Sequence, residues 1–258
     1  MHDELPVDVA LGKVDYYEAV GFSDHRATNA IWYRLLNCGF RLSAGAGTDA
    51  MTNFASLRGP VGMDRVYVHV SERSTDPVAR RAAFLAGLRA GHTFATNGPL
   101  LGFSLQDQGP GGELELPPAR IACTIVASMR SIAPIDHVEV VRNGEVVANA
   151  TLAADHACRP RSKATSTSST SGWLLLRAWN DSATPEIFDI YPYATTNPVY
   201  VSVGDEPVRS SADAAYFLSW IDDLIAAARR RLPATTQPRR RARRWRSCAG
   251  ARGLRARR

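Results

Sequence analysis

The sequence predicts an α/β region followed by an all-β region. Strand-like and helix-like segments alternate over the first part of the chain, which is the pattern of an α/β fold. After the Asn97-Gly98-Pro99 turn, helical periodicity disappears and short runs of alternating apolar and polar residues take over. An amphipathic stretch and an arginine-rich end follow. We therefore predict an α/β region at 1–98, an antiparallel β-sandwich at 99–205, a helix at 206–232 and a disordered basic tail at 233–258.

The elements of the α/β region follow from periodicity and from capping residues. Strands are predicted at 14–20, 41–46 and 65–70, and helices at 26–38 and 77–90. The first helix repeats apolar residues every three or four positions, with Ser23 or Asp24 as its N-cap and Gly39 at its end. Asp76 precedes a proline at the start of the second helix, and Gly91 closes it.

The β region is predicted from short alternating runs separated by turn residues. Its strands are predicted at 100–105, 121–129, 137–142, 145–148, 173–179 and 198–203. The Asn143-Gly144 pair between two of these strands is typical of a two-residue hairpin. The Ser/Thr-rich segment 162–171 is predicted to be a flexible loop. The stretch 212–231 is predicted to be a helix with Phe217, Leu218, Ile221, Leu224, Ile225 and Ala228 on its apolar face.

Composition narrows the range of functions. The net charge of +6 comes from the end of the chain, because residues 229–258 contain thirteen arginines and no carboxylate. Nucleic acid is therefore expected to bind only through this tail, if at all. No apolar run is long enough for a membrane span and no signal peptide is recognisable, so we expect a cytoplasmic protein. Serine-nucleophile, phosphate-loop and dinucleotide motifs are absent, which disfavours those chemistries.

Two carboxylates are candidate metal ligands. Glu18 shares one side of its predicted strand with apolar residues, where a charge is costly to bury unless a cation pairs with it. The alternatives are an exposed edge or a structural ion pair. Asp49 ends the Gly45-Ala46-Gly47-Thr48-Asp49 segment, in which small residues allow the backbone to approach a ligand closely. The alternative for Asp49 is an ordinary turn.

Asp24 and His25 are candidate catalytic residues, with helix capping as the equally weighted alternative. Both follow the strand that contains Glu18, and Asp49 follows the next strand. Such strand ends are the side on which α/β folds build active sites. The other histidines, His69, His92, His137 and His156, have no such convergence and are expected to be structural.

Longer motifs resemble one family. The segments 21–28 (GFSDHRAT), 44–51 (AGAGTDAM), 91–100 (GHTFATNGPL) and 193–201 (YATTNPVYV) are similar to the carbaryl-hydrolase-like (CehA/McbA) metallohydrolases of the PHP (polymerase and histidinol phosphatase) superfamily. The resemblance covers residues from about 4 to 225. It implies the C-terminal part of a PHP-type (β/α) barrel before the sandwich, with Glu18 and Asp49 as metal ligands.

The resemblance also implies an activity. Divalent zinc, manganese or iron would activate water to hydrolyse ester, amide or carbamate-like bonds of a small molecule. The chain departs from the family in having Met51 where many members have a histidine, and in lacking the opening His-x-His or His-x-Asp motif. We therefore expect the N-terminal metal-binding half to be missing, and the isolated chain to be inactive unless a longer product, a partner or a second copy supplies it. The alternative is a non-catalytic remnant whose sandwich is a binding module.

Overall fold

The computed structural model describes residues 3–51, 59–71, 74–118, 121–149, 164–168 and 170–231. These residues form a mixed α/β structure in which most strand pairs are antiparallel. The helices are α1 (Leu5–Ala10), α2 (His25–Asn37), α3 (Pro77–Ala90) and α4 (Ser211–Arg231). The strands are β1 (Tyr16–Val20), β2 (Ser43–Ala46), β3 (Arg65–Val68), β4 (Thr93–Thr96), β5 (Leu100–Leu105), β6 (Glu113–Leu116), β7 (Ile121–Arg130), β8 (His137–Arg142), β9 (Glu145–Asn149), β10 (Ala164–Ser168), β11 (Gly172–Trp179), β12 (Tyr193–Thr196) and β13 (Val199–Val203).

Three sheets organise these strands. The largest has the order β3-β4-β12-β11-β13-β6, and β8 and β9 extend it from β11. A three-stranded antiparallel sheet has the order β10-β7-β5, and β1 and β2 form a separate parallel pair. The described residues do not form a closed barrel. The barrel implied by the resemblance therefore remains a proposal.

The large sheet is buried on both faces, and β11 shows why. Its side chains alternate between two hydrophobic clusters, as expected for a strand. Trp173 and Leu175 pack with residues of α2, and the Trp173 indole N–H donates to Asn37 at 2.9 Å. Leu174 and Leu176 pack against β5 and β7 on the opposite face. Each fully buried leucine contributes about 1.5–3 kcal/mol to stability, so β11 is central to the fold.

Local signals predicted most element types correctly. Asp24 and Asp76 cap α2 and α3 through hydrogen bonds from backbone N–H groups, and Gly91 ends α3 with φ of 75°. The turn between β8 and β9 has positive φ at both Asn143 and Gly144, which confirms the predicted hairpin. The C-terminal helix is also confirmed as α4.

Several expectations need correction. Ala164–Ser168, predicted to lie in a flexible loop, pairs with β7 as an antiparallel strand. α1, β6 and β12 were not predicted as elements, whereas the strand expected around His92 is present as β4. β3 and β4 belong to the same sheet as β11 to β13, and thus the sheet crosses the division proposed at residue 98. That division stays a prediction, and the tail at 233–258 lies outside the described residues.

The apolar face of α4 differs from the predicted one. Phe217, Trp220 and Ile221 are buried, whereas Leu218 is 38% exposed. Asp213 on the same helix accepts hydrogen bonds from Arg34 at 2.6 Å and from Asn37 at 3.0 Å, which ties α4 to α2. Within the described part of the chain, none of the helices has the length and apolarity needed to cross a membrane.

Candidate metal centre

Five strand ends meet at one place in the structure. β1 and β2 are parallel, so their carboxyl ends lie together. In the large sheet, Thr96 at the end of β4 pairs with Arg65 at the start of β3 and with Ala194 near the start of β12. The antiparallel register thus brings the residues that precede β3 and β12 beside the residue that follows β4. Polar residues from all five ends gather there.

A histidine and two aspartates form the centre of this region. His25 Nε2 lies 2.7 Å from Asp189 Oδ2, and candidate ligand atoms of His25, Asp64 and Asp189 all lie within 4.8 Å of one another. The His25 side chain is fully buried, Asp64 is 6% exposed and the Asp189 side chain is 10% exposed. We call these three residues the buried triad.

Secondary structure positions His25. It is the first residue of α2, and its ring packs against Tyr191 and Tyr193 with centroid distances of 5.4 Å in both cases. Its carbonyl oxygen accepts a hydrogen bond from the Asn29 amide at 2.7 Å, and that amide also donates to Ala19 of β1 at 2.6 Å. The Asn29 amide therefore ties the backbone of His25 to β1, and the two tyrosine rings confine the imidazole.

The glycine-rich segment after β2 positions Asp64. The Thr48 hydroxyl accepts a hydrogen bond from the Asp64 backbone N–H at 2.8 Å. Asp64 directly precedes β3, whose first residue pairs with Thr96. Thr48 of the segment 45–49 thus anchors the backbone of Asp64, whose buried carboxylate lies outside this sequence motif.

Asn97 positions Asp189. Its side-chain amide donates to Asp189 Oδ2 at 2.7 Å and to the Tyr191 carbonyl at 2.8 Å. Its Oδ1 accepts from the backbone N–H of Tyr193 at 2.7 Å. Asn97 is only 2% exposed. These three hydrogen bonds fix the orientation of its side-chain amide, which therefore holds Asp189 beside His25.

The two carboxyl groups of the triad have opposite pKa shifts. Burial, followed by the charge of Asp189, raises the pKa of Asp64 to about 7. Burial also acts to raise the pKa of Asp189, but hydrogen bonds from His25 and Asn97 outweigh it and the pKa is lowered. Without a cation, the pair therefore favours one charged and one neutral carboxyl group. A bound cation would favour ionisation of both.

Glu18 is placed differently from the expectation. β1 buries Tyr17 and Ala19, while Glu18 lies on the exposed side of the strand. The pairing of β1 with β2 shifts between Glu18 and Val20, so the simple alternation used to place Glu18 beside Val20 is wrong there. Gly47 leaves room for the carboxylate, since a Cβ at that position would lie 2.5 Å from Glu18 Oε1.

Glu18 and Asp49 are nevertheless electrostatically linked to the triad. Burial, and then the charge of Asp49, raises the pKa of Glu18. The charge of Glu18 in turn contributes to the raised pKa of Asp64. Asp49 is exposed and adopts a positive φ of 54°. We call Glu18 and Asp49 the rim carboxylates, because Glu18 interacts electrostatically with both Asp49 and Asp64. Their role as metal ligands stays a prediction.

Asp24 caps α2. Its Oδ1 accepts hydrogen bonds from the Ala27 backbone N–H at 2.8 Å and from the Tyr191 hydroxyl at 3.3 Å. The capping alternative for Asp24 is therefore confirmed, and a catalytic role for it remains a prediction. The catalytic role assigned to His25 likewise remains a prediction. The structure brings His25 together with Asp64 and Asp189 rather than with Asp24.

The triad fits a divalent cation. His25 Nδ1 and Asp64 Oδ1 are buried, and neither has a hydrogen-bond partner among the described residues. Such atoms are uncommon in folded proteins because each loses its hydration without replacement. One imidazole and two carboxylates provide nitrogen and oxygen donors of the kind that bind zinc. Manganese and iron accept the same donor types.

Sequence reasoning missed Asp64, Asn97 and Asp189. Asp64 and Asp189 precede strands, whereas the active-site residues of α/β folds are expected to follow strands. Asn97 was recognised only as part of a turn. Its position directly after the alternating residues of β4 was the signal that could have identified it.

No family model, curated protein or solved structure matches this chain. The resemblance to the carbaryl-hydrolase-like enzymes therefore stays an interpretation of the sequence.

Proposed function

We propose that this protein is a metal-dependent hydrolase of the PHP superfamily, with the buried triad as part of its metal site. The observation that supports this most is the burial of His25, Asp64 and Asp189 together, with one nitrogen and one carboxylate oxygen that have no hydrogen-bond partner among the described residues. A buried group of this kind costs stability unless it is compensated. Binding of a cation among these three side chains would compensate it.

The rim carboxylates extend this proposal. Glu18 and Asp49 would complete the ligand set from the exposed side, as the resemblance implies. We further propose that β1, α2 and β2 form a parallel β/α unit from the C-terminal part of a PHP-type barrel. The expectation that another segment or partner supplies further ligands stays a prediction, as does the expected inactivity of the isolated chain.

The protein's own groups have separate tasks in this mechanism. When bound, a divalent cation supplies a water of lowered pKa and polarises the carbonyl oxygen of an ester, amide or carbamate. Asn97 holds Asp189 in place through its amide, and Thr48 holds Asp64 through the backbone. Glu18, at the exposed rim, would add a carboxylate oxygen to the ligand set, as the resemblance implies. Tyr191 and Tyr193 exclude water from the His25 ring.

Metal binding tests the proposal directly. The purified chain, stripped with chelator, is dialysed against zinc or manganese, and bound metal and melting temperature are measured. We expect about one tightly bound cation, lost in Asp64→Asn, which preserves shape but removes a charged donor. Asp136→Asn is the matched control, since Asp136 belongs to an exposed His-Asp group elsewhere. Failure of the wild-type chain to bind metal, or equal binding by both variants, would contradict the metal site.

Turnover separates the enzyme from its alternative. Hydrolysis of naphthyl acetate and of a naphthyl carbamate is measured in the same metal-loaded samples. Metal-dependent turnover that disappears in Asp64→Asn supports a hydrolase. Stoichiometric metal without turnover, even when a longer product or partner is supplied, favours the non-catalytic binding module instead.

A further inference from the structure

A cavity of about 460 Å³ opens beside the buried triad. Two of its walls are the segments 60–63 and 186–188, which lead directly into Asp64 and Asp189. Asn97, which hydrogen-bonds Asp189, forms part of a third wall. The volume lies in the range of pockets that hold small organic molecules, about 300–1,000 Å³. A ligand in this cavity would therefore lie next to the proposed metal site.

The apolar walls of this cavity are unusually exposed. Ile132, Phe188 and Val61 are 80%, 74% and 73% exposed, the highest values among the large apolar side chains that the structure describes. All three line the cavity, together with Tyr67 and Leu100, which are each 42% exposed. Grouped exposed apolar residues are typical of a binding surface, because covering them with a ligand removes apolar area from water.

Two arginines add positive charge to the same cavity. Arg65 and Arg130 both line it, and neither forms an ion pair with a carboxylate of the described residues. Arg65 donates through Nη1 to the Gly62 carbonyl at 2.9 Å, while its buried Nε has no partner among the described residues. Glu186, an exposed side chain, is the carboxylate among the lining residues.

We infer that this cavity binds an apolar organic acid, with an aromatic or branched aliphatic body and a carboxylate. The body would cover Phe188, Ile132 and Val61, and the carboxylate would pair with Arg130 and Arg65. Guanidinium groups suit this task because their planar donors match a carboxylate in two parallel hydrogen bonds. If the molecule is a substrate, which rests on the proposed function, the carboxylate is separate from the ester or amide bond that is cleaved.

Paired probes test this inference without metal. Binding of 2-naphthoate and of its neutral isostere 2-naphthamide is measured by calorimetry on the full chain after chelator treatment. We expect naphthoate to bind at least about tenfold more tightly, the effect of one charge-assisted pair of about 1.4 kcal/mol. Arg130→Gln should remove this preference and leave naphthamide binding unchanged. Arg81→Gln, on the exposed surface of α3, is the matched control and should change neither.

A second variant tests the apolar part. Ile132→Ser should weaken both naphthyl compounds to a similar degree, and the large exposure of Ile132 makes a folding defect unexpected. Equal affinity for the two compounds in the wild-type chain, or binding of neither, would overturn the inference. Naphthoate binding that requires added zinc and disappears in Asp64→Asn would also overturn it, because the carboxylate would then be held by the metal. Binding without metal upholds it even if the proposed hydrolase fails its own test.

Discussion

The chain contains two groups with the same chemistry and different surroundings. In the buried triad, His25 Nε2 lies 2.7 Å from an Asp189 carboxylate oxygen, with Asp64 nearby. In a second group, His137 Nε2 lies 3.0 Å from Asp181 Oδ2, and Asp136 accepts a hydrogen bond from the Asp181 backbone N–H at 3.1 Å. We call this second set the surface triad. Both sets could provide one nitrogen and two oxygen donors.

Burial separates the two groups. The His25 and Asp189 side chains are 0% and 10% exposed, whereas those of His137 and Asp181 are 34% and 63% exposed. Water can satisfy the surface triad, so its ion pair is expected to contribute at most about 1 kcal/mol. The polar atoms of the buried triad need partners from the protein or from a ligand, and two of them have no hydrogen-bond partner among the residues that the structure describes. Residue types alone therefore do not distinguish a binding site from an ordinary surface pair.

The largest expected difference concerns the two histidines. His25→Ala removes a fully buried ring and takes one hydrogen-bond donor from the buried Asp189 carboxylate, which should cost about 3–5 kcal/mol of unfolding free energy. His137→Ala should cost less, about 1–2 kcal/mol including the lost stacking on Trp179 at 3.9 Å. Urea denaturation of both variants provides the measurement. Equal losses would show that burial does not distinguish the groups.

A smaller effect on stability is expected when Asp64 is replaced by asparagine, and this effect should depend on pH. The folded-state pKa of Asp64 is raised from 3.8 to about 7. In the unfolded chain this group ionises near pH 4, whereas in the folded metal-free protein it stays protonated until about pH 7. Its contribution to stability is therefore complete below pH 4, declines between pH 4 and pH 7, and stays reduced above. Asp64→Asn imitates the protonated acid and removes that decline.

The measurement for Asp64 is the melting temperature of metal-free protein at pH 4 and pH 8. Asp64→Asn should match the wild type at pH 4 and exceed it at pH 8 by several degrees, because a pKa raised from 3.8 to about 7 corresponds to at most about 4 kcal/mol. Asp136→Asn should show no such pH-dependent gain. Saturating zinc should reverse the order at pH 8, because it stabilises only the chain that binds it. A gain that is equal at both pH values would contradict the assigned cause.

The two triads also show what the sequence can predict. β11 and the cap of α2 follow from neighbouring residues, such as the apolar run at 173–176 and the placement of Asp24, and both were predicted. The buried triad depends on contacts between residues distant in sequence, since His25 and Asp189 are 164 positions apart. The antiparallel register of β3, β4 and β12 brings these distant residues together. Of these strands, β4 and β12 have weak local sequence signals. His25 could be selected as a candidate, but its partners could not.

The smallest effect is expected for Asp181→Asn in the surface triad. This substitution removes an ion pair whose carboxylate is 63% exposed, so the free energy of unfolding should fall by less than about 1 kcal/mol. The difference should disappear in 1 M salt, where charges are screened beyond about 3 Å. Asp189→Asn is the counterpart in the buried triad, and its larger loss should persist at high salt because the ions cannot enter.

If Asp181→Asn instead costs more than about 2 kcal/mol and the loss is insensitive to salt, the surface triad is a structural network. The buried triad would then differ from the surface triad in metal affinity and not in the cost of burying its charges.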